Sequence, residues 1–293
     1  AHFHDPELIP WAILLIFFGT KVVYDVHEDY PKAVSENYRL PLSARKLLPP
    51  IVRLVEFIGS LFFSGIVTVT PTIESRFPIN KTVLVRNLPV ISEFPSPSSY
   101  PMSLRPREVT YIGTITKNRN IIGMLEAIDS IQDAEVSLRL AGDFPVICDE
   151  NTARSHPGWS RVHYDGWVSR EGIANILAST RAGLVVLKPL EHEAVSFPIK
   201  LFEYMAAGLP LISSDFPVWR EIIEDAGCGL LVDPLDTEDI AKAIRWVIDH
   251  PDKAQNMGAR GRHAVLTKYN WENEVEVLFQ LYERIMLGAR NAL

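Results

Sequence analysis

The sequence predicts a two-domain α/β protein, and three observations carry that expectation. Past residue 107, short β-rich runs alternate with amphipathic stretches of ten or more residues, the pattern of a parallel sheet with helical crossovers. A chain of 293 residues has room for about two domains. With 47% hydrophobic and only 22% charged residues it must bury a sizeable core, which excludes a disordered tail and a coiled coil.

In the first third, AHFHDPELIP reads as the end of a strand, and further strands are expected at 21–26, 66–69 and 82–86. Helices are expected at 8–18, ended by Gly19, and near 50–64. Three readable strands are too few for an open sheet covered on both faces, so residues 1–88 are expected to form a domain that begins partway through. Residues 89–106 hold Pro89, Pro95, Pro97, Pro101 and Pro106 among serines, a composition that suits an exposed linker. The second domain, 107–270, should contain strands near 108–112, 136–141, 161–165, 183–187, 210–214 and 229–232, enough for a complete doubly wound sheet. Helices are expected near 120–131, 170–179, 197–207 and 237–249, the last capped by Asp236 or Thr237, followed by two more over 251–267 and 271–288.

The net charge of −7 argues against a nucleic-acid binder, which needs a basic face to neutralise phosphates. Cys148 and Cys228 stand far apart without metal-type spacing, so neither a disulfide framework nor a zinc site is expected, and a reducing, cytoplasmic setting is the simpler reading. The apolar stretches 11–18 and 61–69 fall short of the roughly 20 residues that cross a bilayer, and no signal peptide is read at the start. No cofactor is expected.

The most informative segment is VSFPIKLFEYMAAGLPLISSD, residues 195–215, which reads as loop, helix and strand. Ser196 is the expected N-cap, Pro198 is tolerated in the first turn, Gly208 fits the left-handed position after the helix and Pro210 stops it. Lys200 breaks the pattern, because a cation in the first turn faces the positive end of the helix dipole. An anion docked there would resolve the conflict, and backbone amides at a helix start together with an ammonium suit a diphosphate. Glu203, one turn on, is placed either to accept hydrogen bonds from ribose hydroxyls or to pair with Lys200 on a solvated face.

That run, preceded by GLVVLKPLEHE, resembles the nucleotide-sugar signature of family 4 glycosyltransferases with the GT-B fold. YIGTITKNRNIIGMLEAI (111–128) is similar to that family's first strand, phosphate loop and helix of the C-terminal domain, and LRLAGD (138–143) to its second strand. HFHDPELIP, KVVYDVHEDYP and RNLP resemble loops and a strand end of its acceptor domain. The resemblance implies two Rossmann-like domains, the N-terminal one incomplete and lacking its first segment, with residues 271–293 as a helix packing back across the domains.

By the same resemblance Glu203 matches the second glutamate of the family's paired-glutamate motif, the one that contacts the ribose. The first falls on Val195, a departure that leaves Glu193 or the backbone of Phe197, Pro198 and Ile199 to face the donor sugar. Places that commonly hold pyrophosphate-binding arginine and lysine after Gly113 hold Thr114 and Asn120, with Arg119 and Lys117 as nearby substitutes; Lys117 is equally readable as a solvated loop lysine. Lys188 and Glu191 follow a strand at the carboxyl end, where open α/β sheets bind ligands.

His4 and His27 sit among acids in the first domain, with Asp25, Glu28 and Asp29 around His27, a setting for a general base, for a metal ligand or simply for two loop histidines. The resemblance places His4 near the acceptor hydroxyl, with His27 and Glu28 on the acceptor side. No metal is expected there, since nothing else supplies ligand spacing. Residues 39–65 set Arg39, Arg45, Lys46 and Arg53 beside long apolar faces, which suits a membrane surface, although a buried helix with solvated flanks is the commoner explanation.

The implied activity is transfer of a sugar, with retention and without a metal, from a nucleotide-diphospho-sugar to a glycan or lipid-linked acceptor, in the cytoplasm or at the inner face of the membrane. His4, Arg119 and Lys200 are the expected catalytic residues, and Gly113, Lys117, Lys188, Glu193, Ser196, Phe197, Pro198, Ile199 and Glu203 the donor site. The alternatives are a nucleotide-sugar 2-epimerase of related fold and a non-catalytic sugar-nucleotide binding module.

Overall fold

A computed structural model describes residues 1–36, 40–94 and 100–290, so Arg39, Pro95 and Pro97 lie outside the described residues. The chain divides into two compact units, Ala1–Asn87 with Glu272–Leu293, and Leu88–Trp271.

The first unit has four parallel strands, β1 (His2–Phe3), β2 (Val23–Val26), β3 (Gly65–Thr68) and β4 (Thr82–Leu84), ordered β1-β2-β3-β4. The register sets His2 against Val23 and Phe3 against Tyr24. Phe3, Tyr24 and Phe63 pack as an aromatic centre, with ring centroids 4.9 to 5.7 Å apart. Within this unit Glu274 of the last helix, Trp271–Arg290, accepts hydrogen bonds from the Arg86 amide at 2.7 Å and its guanidinium at 2.6 and 2.9 Å.

The expected helix near 50–64 instead runs Leu42–Phe62, straight through Pro49 and Pro50. Each proline removes an interior hydrogen bond, and the tertiary setting overrides that local signal. Nor is this the buried helix that the apolar run favoured. Only Glu56, Gly59 and Ser60 are buried, while Ile51, Leu54, Phe57, Leu61 and Phe62 are each more than half exposed. The buried residue Glu56 accepts from the Tyr24 hydroxyl at 3.0 Å and from Arg76, which also donates to Asp29 at 2.8 Å. Burial pushes the Glu56 carboxyl up against the opposing pull of Arg76. The helix therefore docks through a polar anchor as well as small residues.

The second unit contains β5 (Glu108–Ile112), β6 (Ser137–Ala141), β7 (Val162–Gly166), β8 (Ala182–Val185), β9 (Leu211–Ser214) and β10 (Gly229–Val232), all parallel in the order β10-β9-β8-β5-β6-β7. Among the helices the sequence does not disclose are Ile147–Arg154 and Pro217–Ala226. The first is too polar to show an apolar stripe. The second carried its own signals, Pro217 in the first turn and Gly227 in the left-handed region at its end. Among the described residues of 89–106, Phe94 and Met102 are not exposed as in a free linker but buried in this unit's core with Leu88. Apolar side chains among the prolines find cover there that composition does not reveal.

The order reverses at β5, whose successors β6 and β7 lie on one side and β8, β9 and β10 on the other. In an open parallel sheet this topological switch point opens a crevice outside the carboxyl ends of the two strands. The loops after Ile112 and Val185 meet at that place.

Candidate active site

The loop after β5 turns at Gly113, whose φ of +120° is open to glycine and strained for other residues. A Cβ built there would lie 3.0 Å from Nζ of Lys200, so the glycine leaves the space the ammonium occupies. The neighbouring loop after β6 approaches closely: Gly142 (φ +138°) would set a Cβ only 2.1 Å from the Gly113 carbonyl oxygen.

Lys200 enters from the helix Ile199–Ala206. It is buried, its Nζ donates to the Tyr111 hydroxyl at 2.9 Å and lies 4.0 Å from that ring's centroid. The Tyr111 hydroxyl in turn donates a hydrogen bond to the Thr114 carbonyl at 2.8 Å. Burial, reinforced by the nearby Arg119 charge, lowers Lys200 to about 7, while Glu193 and Glu203 pull it back up. A cation held at such cost, with an aromatic face and a hydroxyl as partners, is poised for an anion.

Arg119 reaches the same place. Its Nε is 3.4 Å from Oε1 of the buried Glu193. Glu193 thus lies in the cluster around Lys200 although the Val195 position offers no carboxylate. The alternative pairing of Lys200 with Glu203 is not made. Glu203, 7% exposed, accepts instead from Nη1 of Arg170 at 2.5 Å, and the other arm of that guanidinium reaches Glu93 at 3.0 Å. Helical spacing could not disclose Arg170, which opens the separate helix Arg170–Ser179.

Other donor-side expectations fare differently. Ser196 does not cap the helix: Phe197, preceding a proline, is biased away from helical conformation, so the N-cap falls on Pro198 and Ser196 donates to the Glu193 carbonyl at 2.9 Å. Phe197 packs on the core. Lys117 is exposed, with Nζ 3.9 Å from Asp149. Lys188 is half-buried at the loop after β8, its amide donating to the Asn118 carbonyl at 3.4 Å. The Glu191 side chain lies outside the described residues. Asn120, at a place where the family resemblance expects a lysine, is buried in the left-handed region and donates to the Pro234 carbonyl at 2.8 Å, a structural task. A cavity of about 220 Å³ beside Gly113 and Gly142 is walled by Trp167, Val168 and Ile173. Trp167 was absent from the sequence reading, and its 74% exposure is its only signal.

In the first unit the structure brings His4 and His27 together, His27 Nε2 lying 2.8 Å from His4 Nδ1. His2 and Asp25 join them, while Glu28 is exposed.

Two parallel α/β units, one with a buried cation at its switch point, define a Rossmann-like class of α/β protein. Residues 97–264, more than half the chain, match the family model of the group 1 glycosyl transferases. The chain belongs to that family. It is 25% identical over 182 residues to the alpha-D-kanosaminyltransferase of Streptomyces kanamyceticus, covering 61% of this chain and 46% of the relative. It is 29% identical over 156 residues to the D-rhamnosyltransferase WbpZ of Pseudomonas aeruginosa, covering 53% and 39%. The chain thus spans less than half the length of these relatives. Among solved structures, sucrose-phosphate synthase from Thermosynechococcus elongatus superposes with a TM-score of 0.75 at 20% identity, over 98% of this chain and 73% of the other. HepE from Anabaena in complex with UDP superposes with a TM-score of 0.74 at 14% identity, over 97% and 78%. The fold is of GT-B type, with two Rossmann-like units.

Proposed function

We propose that the second unit binds a nucleotide-diphospho-sugar and that the protein transfers the sugar to an acceptor hydroxyl. The observation that carries this reading is the buried Lys200 ammonium on Tyr111 beside Arg119, at the sheet's switch point. As the bond between the anomeric carbon and the diphosphate oxygen breaks, negative charge grows on the leaving group. Preorganised cations at that place favour the transition state, because they need no reorganisation when the charge appears. Lys200 and Arg119 supply that charge from the chain itself, so the leaving group needs no metal in this scheme. Glu203, held by Arg170, offers a carboxylate for ribose hydroxyls. The UDP bound by HepE, which shares the fold, supports the nucleotide class.

His4 is assigned to the acceptor, and retention at the anomeric carbon is taken from the family resemblance. Isothermal titration of the chain with UDP, GDP and ADP tests the donor reading. One of them should bind at one per chain, and Glu203→Gln should weaken it by about 1–3 kcal/mol with the fold retained. Absence of binding by all three, or unchanged affinity in the variant, would overturn the assignment.

A second observation favours peripheral contact with a lipid surface. The helix Leu42–Phe62 exposes Ile51, Leu54, Phe57 and Leu61 with Lys46 and Arg53 among them, and no helix of the described residues is long and apolar enough to cross a membrane. An interfacial helix has this form. Flotation with anionic and neutral vesicles decides it: retention by neither refutes the contact.

A further inference from the structure

We propose that His2, His4, Asp25 and His27 form a binding site for a divalent cation of the zinc class. The site stands apart from the donor reading and does not depend on it. His2 lies in β1 and His4 just after it, while Asp25 lies in β2 and His27 just after it, so parallel pairing of the two strands brings all four side chains to one sheet end. Asp25 Oδ2 is the hub, 3.1 Å from His2 Nε2 and 3.5 Å from both His4 Nδ1 and His27 Nε2. The two imidazole nitrogens lie 2.8 Å from one another. Four ligands around a tetrahedral ion with bonds of ~2.0–2.1 Å are separated by ~3.3 Å. The spacings about Asp25 and between His4 and His27 bracket that value, and donor atoms of His2, His4 and Asp25 all lie within 4.8 Å of one another.

The hydrogen-bond inventory points the same way. A neutral imidazole carries one N–H, so of the two facing nitrogens of His4 and His27 at least one presents a lone pair to the cluster. Asp25 is 8% exposed, and its second oxygen, Oδ1, is buried without a hydrogen-bond partner among the described residues. A buried carboxylate oxygen left unpaired is costly, and a dication against the carboxylate would offset that cost. Nδ1 of His2 meets the Tyr282 hydroxyl at 2.5 Å, the outer-shell hydrogen bond that typically fixes a ligating imidazole's orientation. Three imidazoles and one carboxylate suit zinc rather than magnesium, which prefers an octahedron of oxygens. Read along the chain, the ligands are two pairs at i and i+2 separated by about twenty residues, a spacing that resembles no common metal motif.

The test is calorimetric titration of Zn²⁺ into the tag-free chain after removal of metal with a chelator. One ion should bind per chain, undiminished by millimolar Mg²⁺. The double variant His4→Gln, His27→Gln alters two exposed rings and should keep the fold, checked by circular dichroism, while weakening Zn²⁺ at least tenfold. Asp25→Asn should do the same. Absence of stoichiometric Zn²⁺ binding, or binding of unchanged affinity in the double variant, would overturn the proposal.

Discussion

Replacing Lys200 by methionine separates what this residue costs the fold from what it gives the ligand. The side chain keeps its length and apolar stem but loses the buried ammonium. In the folded chain Lys200 is lowered from 10.5 to about 7, chiefly by burial and then by Arg119. At ~1.4 kcal/mol per pH unit, carrying the charged form in this place costs on the order of 4–5 kcal/mol relative to the unfolded chain. Below pH 7 the lysine is protonated in both states and the cost is constant. Between pH 7 and 10.5 the unfolded chain holds the proton and the folded chain does not, so wild-type stability should rise with pH through that window. Losing the hydrogen bond to Tyr111 offsets part of the gain, about 1–3 kcal/mol. Lys200→Met should therefore be the more stable protein at pH 6 by on the order of 2–3 kcal/mol, with an advantage that shrinks by about as much by pH 9. Urea unfolding followed through the fluorescence of the second unit, where Trp219 is fully buried, reads the effect. The same variant should bind nucleoside diphosphate at least tenfold more weakly, since the anion loses its buried counter-charge. A stability difference that does not vary between pH 6 and 9 would refute the account of Lys200 as a strained cation.

Tyr204→Phe removes the hydroxyl that accepts the Ile112 amide at 2.8 Å, leaving a buried N–H unpaired at the entrance to the Gly113 loop. Denaturant titration should show a loss of about 1–3 kcal/mol; no loss would mean that the amide finds another partner. Gly142→Ala forces a Cβ against the Gly113 carbonyl from a backbone conformation that alanine resists. It should destabilise the second unit by about 1–3 kcal/mol and weaken nucleoside diphosphate binding along with it, whereas a neutral outcome in both assays would show that the two loops can move apart.

Much of the second unit was legible because its elements advertise themselves locally. The strands are short apolar runs between breakers, and the helix at 237–249 opens on the Asp236 cap, which accepts from Glu238 and Asp239 at 3.0 and 3.2 Å. Lys200 was legible as a violation of the dipole rule. Its partner was not, since Tyr111 lies 89 residues earlier and nothing in either segment names the other. The Ser196 cap failed because a proline two residues on constrains the chain more strongly than a hydroxyl stabilises it. The helix Leu42–Phe62 failed for the opposite reason: its prolines read as a boundary, while packing through Glu56, Gly59 and Ser60 carries the helix across them.

The sequence by itself determined where the strands and most of the longer helices form, since these follow from side-chain periodicity, caps and breakers within a few residues. It also marked Lys200 and Glu203 as one face of one helix. Only the tertiary structure decided that Arg170, from another helix, holds Glu203, that Glu193 joins Arg119, and that two histidine-bearing strand ends converge on Asp25. These contacts depend on the order and register of parallel strands, which are set by how whole layers pack and not by any local stretch of chain.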